Sequence, residues 1–114
     1  MDKAIKKLMF IFGTRPEVIK LAPLIKEAEK YKMLKTYICS TGQHKEMLDQ
    51  TLDSFDLIPH IDLSLMSNNQ SLSGFTSRAI IKLDDILCKV KPDMVVVQGD
   101  TTTSFVLSLI HISE

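Results

Sequence analysis

The sequence predicts an open α/β fold built on a parallel sheet. Residues 8–12 and 94–97 are apolar at every position, which is typical of strands buried on both faces of such a sheet. Both segments, and the β-branched and aromatic segment at 36–41, lead through a short polar loop into a helical pattern. Because crossovers between parallel strands are right-handed, we expect these strand-to-helix loops to share one edge of the sheet.

The first helix is expected directly after the first strand. Pro16 suits the first helical turn, and Glu17 favours the positive end of the helix dipole. The apolar stripe with helical spacing consists of Val18, Leu21, Ala22, Ile25 and Ala28. Pro23 lies within this stripe, and an interior proline costs a regular helix about 3 kcal/mol. We therefore expect a kink near Lys20 or a first turn that ends there.

Two further helices are predicted downstream. The second begins in the loop after residue 41, and its apolar face is Met47, Leu48, Leu52 and Phe55. A short apolar segment at 61–65 and a polar connection precede a third helix near 72–90, which ends at Lys91-Pro92-Asp93. The predicted buried stripe of this third helix is Phe75, Ala79, Ile80, Leu83, Ile86 and Leu87.

Composition narrows the functional classes. The 114 residues are 45% apolar and 25% charged, the balance of a soluble globular domain. Fourteen Lys and Arg offset fourteen Asp and Glu, so no net field favours nucleic acid or an acidic membrane surface. No segment is long and apolar enough for a membrane span or a signal peptide, and a cytoplasmic protein is expected. Cys39 and Cys88 stand apart, which predicts two buried thiols and neither a metal site nor a disulfide.

The loop Gly13-Thr14-Arg15-Pro16-Glu17 is the first candidate site. Gly13 allows close backbone approach, and the Arg15 guanidinium is a fixed charge that matches a phosphate group. The alternative is that Arg15 pairs with Glu17 or with another loop carboxylate. Lys20 either assists in binding a phosphate or is an ordinary solvated helix lysine.

Asp100 is the second candidate, at the junction that follows residues 94–97. Its carboxylate can cap the next helix through backbone N–H groups, face a ligand in an acid or base role, or do both. His44, at the start of the second helix, is a candidate donor to a ligand or an exposed histidine. His60 follows a proline in a connection and carries no functional signal.

Three groups of residues, in order and at characteristic spacing between Lys7 and Val106, carry a resemblance to a known family. They are Phe12-Gly13-Thr14-Arg15-Pro16-Glu17 with Lys20 and Ala22-Pro23-Leu24, Thr41-Gly42-Gln43-His44 with Met47-Leu48-Asp49-Gln50, and Lys91-Pro92-Asp93 with Gln98-Gly99-Asp100-Thr101-Thr102-Thr103. In this combination the chain resembles the non-hydrolysing UDP-N-acetylglucosamine 2-epimerases.

The resemblance implies a GT-B-like fold of two Rossmann-like domains with UDP-N-acetylglucosamine in the cleft between them, and residues 1–106 would be part of the N-terminal domain. It implies reversible epimerisation at C2 through elimination and re-addition of UDP, without a redox cofactor, by a homodimer. Asp100 matches a catalytic carboxylate, and the substrate-binding positions are Gly13, Thr14, Arg15 and Lys20. The other catalytic groups of the family would follow residue 114, so the fragment alone should be inactive.

Some members of that family bind a second UDP-N-acetylglucosamine as an allosteric activator. Gln43 and His44 match part of this allosteric site. Glu46 and Asn69 replace a neutral amide and an arginine, and both changes would weaken capture of a diphosphate.

Other functions stay open at this point. The chain could belong to a hydrolysing epimerase or a GT-B glycosyltransferase, or be a complete, non-catalytic nucleotide-binding module. Residues 107–114, LSLIHISE, depart from the family and can be back-translated to CTG TCT CTT ATA CAC ATC TCC GAG, which resembles a sequencing-library adapter. The hypothesis is that this tail is read-through, and the alternative is a natural helix. Adapter-free sequencing of the locus distinguishes the two.

Overall fold

The computed structural model describes residues 5–42, 45–65 and 71–98, and the side chains of residues 45–47 are outside that description. Strands and helices alternate along the chain. In order they are β1 (Lys6–Phe12), α1 (Arg15–Ala28), β2 (Leu34–Ser40), α2 (Lys45–Ser54), β3 (Ile61–Asp62), α3 (Leu72–Val90) and β4 (Met94–Val96). Within these ranges, no helix combines the length and apolar character that a membrane span needs.

The strands form one parallel sheet in the order β3-β2-β1-β4, which confirms the predicted open α/β architecture. Strand β1 lies inside the sheet, where Phe10 pairs with Ile38 of β2 and with Val96 of β4. The four residues at the carboxyl end of β1, Met9 to Phe12, are buried because helices cover both faces of the strand.

The two faces of the sheet carry different helices. Phe10 and Phe12 of β1 pack in one apolar cluster with residues of α1 and α2. Met9 and Ile11, which alternate with them, pack in a second cluster with residues of α3. This arrangement follows from right-handed crossovers, since α1 and α2 connect strands in one direction across the sheet and α3 returns in the other.

The predicted stripe of α1 is correct, because Val18, Leu21, Ala22, Ile25 and Ala28 are all buried. Helix α1 continues through Pro23 to Ala28, so the predicted alternative of a first turn that ends near Lys20 is wrong. In α2, Leu48 and Leu52 are buried as predicted, and Phe55, just after the helix, is half-buried. The side chain of Met47, also predicted on this face, lies outside the described residues.

Helix α3 has the predicted bounds, and Phe75, Ala79 and Leu83 of its predicted stripe are buried. Ile86 and Leu87 are half-buried, and Ile80 is 37% exposed. Ile80 follows buried Ala79, and consecutive helical residues are turned by about 100°, which places Ile80 at the margin of the stripe. Lys91 ends the helix with a left-handed backbone (φ 53°). Asp93 then joins β4 to β1, since its carboxylate accepts from Lys7 N at 2.7 Å and its N–H donates to Lys7 O at 2.9 Å.

Gly42, after β2, occupies a position that only glycine fits without strain. Its φ is +81°, and a Cβ atom there would lie 2.9 Å from Ser64 Cα and 3.2 Å from Ser64 N. Both contacts are with backbone, which cannot rotate away as a side chain can. The turn that leads from β2 towards α2 therefore requires glycine.

We expect Gly42→Ala to lower the free energy of unfolding by about 2–4 kcal/mol, because it combines a left-handed backbone with a backbone clash. Urea unfolding followed by circular dichroism measures the change. Gly74→Ala in α3 is the matched control, since Gly74 lies in a helix and does not have a positive φ. The control should be neutral or slightly stabilising. A Gly42→Ala midpoint equal to that of the unchanged chain would contradict the prediction.

Candidate functional site

The junction between β1 and α1 lies at the carboxyl end of an internal strand. Phe12 ends β1, Gly13 is buried, and Thr14 is the N-cap of α1 with an extended backbone (φ −128°, ψ 160°). The helix then begins at Arg15, with Pro16 in its first turn as predicted. The positive end of the α1 dipole therefore faces the edge at which ligands bind in open α/β sheets.

Glu17 has a larger role than the sequence indicated. Its side chain turns back towards the loop and is only 3% exposed. One carboxylate oxygen, Oε1, accepts hydrogen bonds from Gly13 N at 3.1 Å, Thr14 N at 2.9 Å and Thr14 Oγ1 at 2.8 Å. The carboxylate thus satisfies two backbone N–H groups that would otherwise face solvent or a ligand.

Arg15 differs from Glu17 in both exposure and contacts. It is exposed, and it forms no hydrogen bond or ion pair with any other residue that the structure describes. The alternative in which Arg15 pairs with Glu17 is therefore wrong. Lys20, also exposed, likewise has no such partner among the described residues. None of the described residues occupies either cation, so neither is blocked from an anionic ligand by that part of the chain.

The loop after β2 is attached to the same edge. Thr41 is fully buried, and its N–H donates to Phe12 O at 2.9 Å, one residue before Gly13. The buried Ser40 hydroxyl accepts from Gly42 N at 3.3 Å. These contacts bring the end of β2 beside the end of β1. Gln43 and His44 follow directly in sequence and lie outside the described residues.

The end of β4 borders β1 on the other side. Val96 is in register with Phe10, so counting two residues along each strand brings half-buried Gln98 level with Phe12. Asp100 comes two residues later, and it lies outside the described residues, as do Asn69 and the tail 107–114. The sequence predicts that the three strand-to-helix loops share one edge of the sheet. The ends of β1, β2 and β4 lie side by side at this edge and support that prediction.

His60 has a structural role that the sequence did not reveal. The imidazole Nδ1 of His60 accepts a hydrogen bond from Ile38 N at 3.0 Å, and the backbone N–H of His60 donates to Ile38 O at 2.8 Å. One residue therefore bonds both backbone groups of Ile38. The imidazole also lies 6.1 Å from the Tyr37 ring, centroid to centroid. Since Ile38 and His60 are 22 positions apart, no local pattern could have indicated this pair.

The two cysteines have different environments, so the expectation of two buried thiols is correct only for Cys39, and Cys88 is exposed. Burial, with a smaller contribution from the Asp62 carboxylate, raises the pKa of Cys39 to about 12. Cys39 is therefore a protonated packing residue at neutral pH and not a nucleophile. In the part of the chain that the structure describes, no three His, Cys, Asp or Glu side chains are grouped to hold a metal ion.

The chemistry open to this edge follows from its charges. The loop, the positive end of a helix, and the Arg15 and Lys20 side chains, which pair with none of the described residues, can together hold a phosphate-bearing ligand. Stabilising a diphosphate leaving group requires cations of this kind.

Comparison with known proteins agrees with this geometry. Residues 26–112 match the family model described as UDP-N-acetylglucosamine 2-epimerase. A UDP-N-acetylglucosamine 2-epimerase of Bacillus subtilis is 50% identical over 103 residues, which are 90% of this chain and 27% of that protein. The chain therefore spans about a quarter of the length of this relative.

Solved structures show the same fold. The UDP-GlcNAc 2-epimerase of Neisseria meningitidis bound to UDP-GlcNAc superposes with a TM-score of 0.88 at 47% identity, over 94% of this chain and 29% of that one. The Methanocaldococcus jannaschii UDP-GlcNAc 2-epimerase, in complex with UDP-GlcNAc and UDP, gives a TM-score of 0.85 at 35% identity, over 94% and 30% of the two chains. Sequence and fold agree, and the chain belongs to the UDP-N-acetylglucosamine 2-epimerase family.

Proposed function

We propose that the full-length protein containing these residues interconverts UDP-N-acetylglucosamine and UDP-N-acetylmannosamine. The observation that carries the proposal is the exposed Arg15 guanidinium at the carboxyl edge of β1, which has no hydrogen-bond or ion-pair partner among the described residues. It lies on a loop that Glu17 holds in place. In the proposed reaction, UDP leaves C1 of the sugar as a proton leaves C2. UDP then adds back to C1, and C2 receives a new proton on the opposite face.

In this proposal, some residues bind the substrate and another transfers protons. Arg15 and Lys20 bind the diphosphate and stabilise the charge that develops as it leaves. Gly13 and Thr14 form the loop that brings Arg15 to the substrate. Asp100 acts in acid or base catalysis, which requires a carboxylate close to the sugar. The reaction is redox-neutral overall, so no redox cofactor is proposed.

The remaining assignments extend beyond the described residues. We propose that residues 1–106 are part of the N-terminal Rossmann-like domain of a cytoplasmic, GT-B-like homodimer that serves surface polysaccharide synthesis. In this proposal, residues 107–114 are a read-through tail. Gln43 and His44 would border an allosteric nucleotide-sugar site, weakened by the acidic Glu46 and by Asn69. Neither nucleic acid nor a membrane is proposed as a partner.

The decisive experiment follows UDP-N-acetylglucosamine in D₂O by proton NMR with the full-length protein. We expect UDP-N-acetylmannosamine to appear and deuterium to enter at C2, because the C2 proton is removed and replaced from solvent. The 114-residue chain, assayed in parallel, should be inactive. Free N-acetylmannosamine and UDP would instead indicate a hydrolase, and sugar transfer to an added acceptor a glycosyltransferase. Absence of every product would refute the proposal.

A further inference from the structure

The Glu17 carboxylate occupies a position that is unexpected beside a diphosphate site. A helix N-terminus usually binds a phosphate through its free backbone N–H groups. Here Gly13 N and Thr14 N both donate to Glu17 Oε1, and Pro16 has no N–H to offer. An internal carboxylate thus takes two of the donors that a phosphate could otherwise use.

We propose that Glu17 is a positioning residue, which holds the β1–α1 loop so that the diphosphate is bound through the Arg15 side chain and not through the Gly13 and Thr14 amides. This inference rests on the proposed function. The hydrogen bonds from Gly13 N, Thr14 N and Thr14 Oγ1 converge on one oxygen, so the loop cannot shift without breaking several of them. The backbone that leads into Arg15 is therefore ordered before the ligand arrives.

Preorganisation of this kind favours binding because an ordered loop loses less conformational entropy when the ligand is bound. Burial of Glu17, which is 3% exposed, also makes its hydrogen bonds to the loop stronger than they would be in water. Arg15, exposed and without a partner among the described residues, remains free to contact the ligand.

The direction in which Glu17→Gln changes the affinity for UDP distinguishes this proposal from simple charge repulsion. If the carboxylate only repelled the diphosphate, Glu17→Gln would tighten binding. If Glu17 positions the loop, the neutral amide accepts the same hydrogen bonds more weakly, and UDP binding should weaken about threefold. Glu17→Ala leaves Gly13 N and Thr14 N without this acceptor and should weaken UDP binding about tenfold or more.

The test uses the full-length protein and measures UDP and inorganic pyrophosphate binding by isothermal titration calorimetry, together with KM and kcat. Both Glu17 variants should raise KM in the order Gln then Ala and change kcat less than KM. Amide hydrogen exchange of the peptide spanning residues 12–17, without ligand, should be faster in Glu17→Ala and partly restored in Glu17→Gln. Glu29→Gln removes the same charge at the exposed C-cap of α1 and should change none of these quantities.

Each outcome decides the inference. Tighter binding of pyrophosphate by Glu17→Gln would overturn it, as would unchanged exchange at residues 12–17 in Glu17→Ala. A protein that binds UDP but does not epimerise refutes the proposed function and leaves the positioning role to be decided by affinity. A protein that binds neither UDP nor pyrophosphate contradicts both, while exchange still reports whether Glu17 orders the loop.

Discussion

Asp100→Asn is expected to reduce epimerisation by about 10²- to 10⁴-fold, the usual contribution of a positioned acid or base. Asparagine keeps the shape of the side chain but cannot exchange a proton, so removal or return of the C2 proton would lose its catalyst. Binding of UDP should change little, because UDP lacks the sugar from which the proton is removed. The measurement is turnover of the full-length protein beside its UDP affinity.

The location of the junction supports this prediction. Strand β4 pairs directly with β1, and Gln98 comes level with the end of β1 when the register is continued, two residues before Asp100 in sequence. Asp84→Asn is the matched control, because it makes the same change in charge on an exposed residue of α3. If Asp100→Asn turns over as fast as Asp84→Asn, Asp100 has no role in proton transfer.

Arg15→Ala is expected to weaken UDP binding by about 10- to 100-fold, the range for loss of hydrogen bonds to a charged group. The guanidinium has no partner among the described residues, so its removal should leave the fold intact and affect only the ligand. Arg15→Lys should give an intermediate affinity, because lysine keeps the charge and loses the planar pair of donors. Calorimetry with UDP measures the affinities, and thermal unfolding checks the fold.

Lys32→Ala controls for the loss of one positive charge. Lys32 is exposed in the turn after α1, at the opposite end of that helix from Arg15, so UDP should bind this variant normally. Equal affinities for Arg15→Ala and Lys32→Ala would show that Arg15 does not contact the diphosphate. A strong decrease in thermal stability of Arg15→Ala would show that the side chain has a structural partner.

The regular elements of the fold were largely predictable from the sequence. The apolar segments at 8–12 and 94–97 correspond to β1 and β4, and the stripe of α1 is buried as expected. These patterns are local, because side-chain direction repeats every two residues in a strand and every 3.6 in a helix. Ile80 shows the limit of predicting burial from spacing, since the width of a buried stripe depends on the residues that pack against it.

The candidate site was predictable only in part. The strand-to-helix junction of residues 13–17 indicated a phosphate-binding loop, and the structure places it at the carboxyl end of β1. The sequence left open whether Arg15 pairs with Glu17. The loop conformation decides this, because it turns Glu17 towards Gly13 N and Thr14 N and leaves Arg15 exposed.

The order of strands and helices, most of the buried faces and the family resemblance could be predicted from the sequence, because they depend on spacing along the chain. Which polar groups meet is visible only in the folded chain. Ile38 bonds to His60, Gly42 packs against the Ser64 backbone, and the Glu17 carboxylate takes the loop amides. The physical reason is that hydrogen bonds and close contacts act over a few ångströms, so they depend on how the chain bends in space.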